Sequence, residues 1–450
     1  MNHSMRWRSI AVLTVVAVAA IGCGNDKKDT GSATTDGGST NTGTGAFIDP
    51  AQDCQGDVYK PTQGISGDTI KVGTVGPITG NYNIYNTITK GIDAYFKVVN
   101  NKGGVKAGDG KTYKLELLSE DDAYEQSQTP TKVKKLVEQD GVFALVGQIG
   151  TANALAVRTY LNDNCVPSVA LATGSTEWGK ADAYPWYIGG LPSYATEAHA
   201  FLEYLKGVKP AAKIAVLYQD DDFGKAYLAT IEKEAPGLGM TIVDKASFDP
   251  RGSGTTEGSV AKLAGSGADT FFVGIGGAPC PATLKFIPAS WKPLTYVSIT
   301  CAGKLAMSLA GPASEGVYST EATYDVANPE NAEVPAVKQY LADGASVGLS
   351  TDDMTNGIIS AGWGFASIFV HGLEQSKTVT RADLMNALYA MKDVKGLGLI
   401  RDDVAVNTDG AKDPWIIEGL RVIHRENGLW KNQNEVVNYD GKSNEFTAGS

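Results

Sequence analysis

No apolar run in this sequence is long enough to cross a bilayer as a helix. The run near the N-terminus, Ile10 to Ile21, has twelve residues, whereas a span needs roughly 20. Basic charge is also short: 39 Lys and Arg stand against 50 Asp and Glu, a net charge of −11. Removing residues 1–22, which hold two Arg and no acid, gives −11 − 2 = −13. That balance argues against a nucleic-acid partner and against a polybasic hold on anionic lipid. Histidine is scarce. His3, His199, His371 and His424 are scattered without metal-ligand spacing, so no metal is expected. Catalytic signatures are missing as well. There is no G-x-S-x-G elbow, and "GIGGAP" (274–279) fails the dinucleotide glycine pattern at its last position. Neither a cofactor nor an enzymatic activity is expected.

What is present begins with "AVLTVVAVAAIGCGND", residues 11–26. Arg6 and Arg8 precede a short apolar core that ends in small residues, the layout of a secretory signal peptide. "AIGC" resembles a bacterial lipobox, with Ala20 where leucine is usual. The expectation is that residues 1–22 are removed and Cys23 is kept as the lipid-modified N-terminus; an ordinary signal peptide with an incidental cysteine is the alternative. Residues 23–65 are then a tether. "GNDKKDTGSATTDGGSTNTGTGA" cannot build a core, and a coil of about 40 residues reaches roughly 35 Å. Such a protein is exported and held on the outer face of the cell membrane. Cys54, Cys165, Cys280 and Cys301 remain. An even number in an exported chain suggests two disulfides, with free buried thiols as the other reading.

From residue 68 onward strand and helix patterns alternate. "DTIKVGTVG", "YKLELLSED", "VFALVG" and "PSVALAT" read as strands. "NTITKGIDAYFKVVNNKGG", "TKVKKLVEQDG" and "TANALAVRTYLNDN" read as the helices between them. The rhythm then restarts. "KIAVLYQDD", "MTIVDKASF", "TFFVGIGG" and "LTYVSIT" are strands; "TEAHAFLEYLKGV", "GKAYLATIEKEAPGLG", "TEGSVAKLAGSGAD" and "ATLKFIPASW" are helices. Right-handed βαβ units in two successive parallel sheets imply an α/β protein of two Rossmann-like lobes facing each other. After "EGVYSTEATYD" come two more helices, "GIISAGWGFASIFVHGLEQS" and "RADLMNALYAMKDV", and a closing strand pair in "WIIEGLRVIHRENGLWK". These leftover elements require the chain to cross between lobes more than twice. Cys280 and Cys301 each follow a strand end, and those two strands are consecutive. Adjacent strands lie about 4.8 Å apart, within disulfide reach, so Cys280 is expected to pair with Cys301 and Cys54 with Cys165.

Six strings, in order, resemble one family: "IKVGTVGPITG", "NNKGGV", "LVGQIGTANALA", "PSVALATGS", "YQDDDFGKAY" and "GPASEGVYST". The chain is similar to the leucine/isoleucine/valine-type substrate-binding lipoproteins of ABC importers over about residues 66–436. The resemblance implies the type I periplasmic binding protein fold, with a ligand cleft between the lobes. It also implies a division into residues 66–192 plus 320–414 for the N-terminal lobe and 193–319 plus 415–436 for the C-terminal lobe. Residues 437–450 are left as a tail. The partners it implies are a small-molecule ligand, ABC permease subunits and, through the lipid, the membrane; a monomer is expected.

In open α/β sheets ligands sit beyond the carboxyl ends of the strands. Those ends are Gly76–Tyr85, Asp121–Tyr124, Gly147–Thr151, Leu171–Ser175, Asp220–Phe223, Gly276–Cys280 and Thr300–Cys301. Thr151 opens a helix, where free N–H groups and the dipole favour a carboxylate; a threonine that merely caps its helix is the bland alternative. In the family, the positions matching Thr151, Leu171 and Thr173 grip the ligand's carboxylate through hydroxyl and backbone groups. Tyr82, Tyr85 and Phe223 suit a cleft wall against an apolar ligand body, although the family often has tyrosine at Phe223. Ala278 and Cys301 complete the expected ligand-binding set from the second lobe. Asp220, Asp221 and Asp222 read as a solvated loop, or as a partner for an ammonium. The family's amino-acid binders place an acid after the strand matching "LTYVSIT", whereas "TCAGK" follows here. That departure shifts the expected ligand from a standard amino acid toward an amide or a small carboxylic or aromatic acid. A ligand-sensing domain and an extracellular hydrolase are the readings from other classes.

Overall fold

The run Thr69–Gly76 is buried continuously from Val72 to Gly76, as a strand flanked on both sides must be. In the computed structural model, which describes residues 46–54, 58–252 and 254–447, it pairs in parallel with Thr112–Asp121 and with Ala144–Val146. Ser168–Leu171 and Tyr187–Gly189 extend the parallel sheet. The second sheet holds Lys213–Gln219, Thr241–Phe248, Thr270–Gly274, Leu294–Val297 and Val317–Glu321, all parallel. Numbered along the chain, each set of five lies in the order 2-1-3-4-5. Each lobe therefore has its switch point between its first and third strands, the place where a doubly wound sheet opens a crevice. The hairpin Gly419–Glu426 and Leu429–Asn432 adds antiparallel strands beyond Val317–Glu321.

Helix Gly357–Gln375 is apolar almost all round and packs on helix Thr87–Asn101. The two backbones touch through glycines. A Cβ on Gly91 would lie 2.0 Å from the Ile359 carbonyl oxygen, and one on Gly362 would lie 2.0 Å from that of Ile88.

The chain passes between the sheets at 190–193, 322–324 and 415–418. Val317–Glu321 and Gly419–Glu426 are neighbours, and helix Tyr194–Val208 packs on both, so the three crossings gather at one edge.

Both disulfides form, with α-carbons 6.0 Å apart for Cys54–Cys165 and 6.3 Å apart for Cys280–Cys301. Three expectations change. Residues 46–54 and 58–65 are not tether: Ile48 is buried and exchanges hydrogen bonds with Asn386, and the Pro61 carbonyl accepts the Arg381 N–H. The helix read over "ATLKFIPASW" instead spans Pro279–Lys285, ending before Pro288, which disfavours helix in the residue ahead of it. Residues 437–447 pack closely: Val437–Asn438 pairs with the Gly419–Leu420 backbone, and Ser443 is buried against Thr196. The signal segment, Cys23 and the tether up to residue 45 lie outside the described residues.

Candidate functional site

Both switch points open onto one cavity of about 200 Å³ between the lobes. The first lobe contributes Thr151 from its third strand end; the second contributes Phe223 and Gly276 from its first and third. All three crossings add to the wall, through Gly190–Pro192, Ala322–Tyr324 and Ile417.

Thr151 begins the helix Thr151–Asp163, after Gly150 at φ +95°. That left-handed backbone suits glycine, and a Cβ there would also meet Asn153 at 2.8 Å and Tyr124 at 2.9 Å. Thr151 Oγ1 lies 2.6 Å from Thr173 Oγ1. Thr173 Oγ1 also accepts the Ser175 N–H at 3.3 Å. Either hydroxyl can be the donor between the two threonines.

Tyr85 lines the cavity and ties the lobes together. Its hydroxyl donates to the Thr300 carbonyl at 3.2 Å and accepts the Gly277 N–H at 2.7 Å. Phe223 meets Tyr194 edge-on with ring centres 5.0 Å apart. Asp221 caps the helix Asp222–Glu234 by accepting the Phe223 and Gly224 N–H groups, and burial pushes its carboxyl up.

Five expected ligand contacts fall elsewhere. Thr173 stands behind Thr151 and does not line the cavity. Leu171 points into the core under the first sheet, and it is the next residue, Ala172, that lines the cavity; successive side chains of a strand alternate faces. Tyr82 stacks on Tyr124, ring centres 4.0 Å apart, and donates to Gln219 Oε1. Ala278 is the N-terminal boundary of helix Pro279–Lys285, its N–H donating to the Asn81 carbonyl at 3.4 Å. Cys301 is consumed by its disulfide and is 1% exposed. Asp220, Asp221 and Asp222 are absent from the wall too; Asp220 pairs with Lys225 at 2.8 Å.

The structure adds acids that the sequence did not mark. Glu321, at the end of Val317–Glu321, lines the cavity, as does Asp325. Burial pushes both carboxyls up, opposed at Glu321 by Arg421 and Arg401. Behind Ile299 and Thr300 lies Glu197, fully buried. It accepts the Tyr227 and Tyr296 hydroxyls at 2.6 Å each and the Ile299 N–H at 2.8 Å. Burial raises its carboxyl to about 7. Apart from the cavity, oxygens of Asp413, Glu418 and Asp440 lie within 4.8 Å of one another, with Glu418 held by the Gly441 and Ser443 N–H groups.

Residues 69–414 match the periplasmic binding protein family. The chain belongs to that family. Its two lobes and three crossings are the type I fold. This periplasmic binding protein is 24% identical over 211 residues to an amino acid binding protein of Pseudomonas aeruginosa, covering 46% of this chain and 53% of that one. It spans about half the length of the curated relatives it matches. Among solved structures, a branched-chain amino acid ABC transporter protein from Thermus thermophilus with bound valine superposes with a TM-score of 0.73 at 18% identity. That match covers 83% of this chain and 97% of that one. A fatty acid ABC transporter substrate-binding protein from Thermomonospora curvata gives 0.71 at 21% identity, covering 86% and 96%. At such identities the likeness shows the fold. No helix among the described residues is long and apolar enough to cross a membrane.

Proposed function

We propose that this chain is an extracytoplasmic solute-binding lipoprotein, anchored through Cys23, that captures a small organic ligand and delivers it to the permease of an ABC importer. The observation that carries the reading is the cavity between the lobes at the paired switch points, with Thr151 at one helix N-terminus and Tyr85 bridging the lobes beside it. A ligand that contacts both lobes at once favours the closed arrangement, because neither lobe alone offers the full set of contacts. Thr151 and the free N–H groups beside it suit a carboxylate or carbonyl oxygen. Ile88, Ile149, Ile358 and Phe365 supply an apolar wall for the ligand body. The ligand classes that fit are amino acids, amides and small carboxylic or aromatic acids. No described residue of the wall is paired as a nucleophile with a base, which supports release of the ligand unchanged.

The test is native mass spectrometry of the purified protein, followed by thermal-shift screening of small carboxylic acids and amides. A bound solute recovered intact, or a stabilising acid or amide, is the expected result. A chemically altered ligand would overturn the binding-protein reading in favour of hydrolysis.

A further inference from the structure

The cavity has a second polar pole. Glu321 closes the last parallel strand of the second sheet and is 8% exposed. Its cross-strand partner is Arg421. Arg421 donates through Nε at 2.7 Å and also through Nη2, and both bonds fall on Oε1. Arg401 Nη1 approaches the same oxygen at 4.0 Å and is itself engaged by Asp403 at 2.9 Å. No described residue donates to Oε2 of Glu321. That oxygen is left free to accept, and it belongs to a residue of the cavity wall. Asp325 repeats the pattern: one oxygen accepts the Ala327 N–H at 2.9 Å, and no described residue donates to the other. Among the described residues of the wall Lys304 is the one cationic side chain, and it is directed to Thr355 at 2.7 Å and Asp352 at 4.0 Å.

The two poles are separated. Helix Thr151–Asp163 packs against helix Asp222–Glu234, so Thr151 and Phe223 share one end of the cavity. Glu321 lies on a strand three places from Lys213–Gln219, the strand that leads to Phe223. At about 4.8 Å per strand, that is on the order of 14 Å. Most of the remaining wall is apolar, with Ile88, Ile149, Ile358 and Phe365 among its residues. We infer that Glu321 is a ligand-contacting specificity residue, and that the ligand is an elongated bifunctional solute. Its acceptor end, a carboxylate or carbonyl, sits at Thr151; its donor end, an amine, amide N–H or hydroxyl, sits at Glu321 Oε2. An α-amino acid carries both groups on one carbon and reaches only one pole. This inference rests on the solute-binding reading above.

The test is calorimetry and thermal shift on the purified protein with four probes: hexanoate, ω-aminohexanoate, ω-hydroxyhexanoate and norleucine. An ω-substituted acid should bind about ten-fold tighter than hexanoate, one added hydrogen bond to a charged group. Norleucine, the isomer of ω-aminohexanoate, should gain nothing over hexanoate. Glu321→Gln should reduce the ω preference to about three-fold or less while hexanoate binding is kept. The amino and hydroxy arms distinguish an ammonium from a neutral donor. If E321Q does not fold, the wild-type ranking decides. Norleucine binding best, or hexanoate matching both ω-substituted acids, would overturn the role of Glu321 and leave solute binding intact. No binding by any probe, together with no small molecule released on denaturation, would overturn both.

Discussion

Tyr82 donates its phenol proton to Gln219 Oε1 at 2.9 Å, joining the first lobe to the second through a buried hydrogen bond that lies off the cavity wall. Closure therefore has a component that is independent of the ligand. Tyr82→Phe removes that bond and leaves every cavity-lining side chain in place. A buried neutral hydrogen bond contributes about 0.5–1.5 kcal/mol, so ligand affinity should fall roughly 2- to 10-fold, chiefly through faster release. Stopped-flow dissociation checks it; an unchanged off-rate would mean that Tyr82 packs without latching.

Thr151 and Thr173 share a hydroxyl–hydroxyl hydrogen bond, with only Thr151 at the cavity. If the ligand presents a carboxylate, Thr151→Ala removes a charge-assisted hydrogen bond of about 1.5–3 kcal/mol, a loss of roughly 10- to 100-fold. Thr173→Ala should cost less, because Thr151 can still donate after losing its orienting partner. Calorimetry on both variants, with folding verified by circular dichroism, decides the order. Wild-type affinity in both would remove Thr151 from the grip.

Glu197 sets a pH dependence. Its usual value is near 4.5, and burial raises it to about 7 in the folded chain. Between those values the folded state holds a proton that the unfolded state has released, so stability is fully present below about 4.5 and declines as pH rises through about 7. Glu418, also raised to about 7 by burial, adds to the same window. Chemical denaturation across that range should show the decline in wild type and a shallower one in Glu197→Gln. Parallel curves would show that Glu197 is ionised in both states.

The disulfides close loops of different length. Cys280 and Cys301 are 21 residues apart, and Cys54 and Cys165 are 111 apart. Chain-entropy reasoning gives about 3 kcal/mol for the short loop and about 4–5 for the long one. Cys54→Ser/Cys165→Ser should therefore lose more stability in urea than Cys280→Ser/Cys301→Ser. Non-reducing peptide mapping tests the pairing itself, and a peptide linking Cys165 to Cys280 would refute it.

Cys23→Ala should leave the protein uncleaved or move it out of the membrane fraction of the producing cell. Correct processing with unchanged membrane fractionation would exclude lipid at Cys23.

The alternation of apolar runs with amphipathic ones made eight of the ten parallel strands readable, because each run is locally coded; Tyr187–Gly189, three residues long, and Val317–Glu321 went unread. The pairing of Cys280 with Cys301 was readable for a related reason: consecutive strands of a parallel sheet have neighbouring ends. What lay beyond reach depends on facing and on distant partners. Leu171 and Ala172 differ by one position, and the turn of the pleat sends one to the core and the other to the cavity. Glu321 in "YSTEATYD" looks like any acid at a strand end. Its meaning comes from Arg421, 100 residues later, which occupies one oxygen and spares the other. Helix Pro335–Ser346 went unread although Val337, Tyr340 and Gly344 have helical spacing, since its apolar stripe is thin.

The gathering of all three crossings at one edge makes the cavity a wedge with a fixed apex. A hinge at that edge would keep Gly190, Ala322 and Ile417 nearly in place and move Thr151 and Phe223 the most. The apex, with Glu321 beside Ala322, would then present the same contacts to a solute in either state, and the jaws only in the closed one. Substitutions at the apex should change which shapes enter, and substitutions at the jaws should change how long they stay.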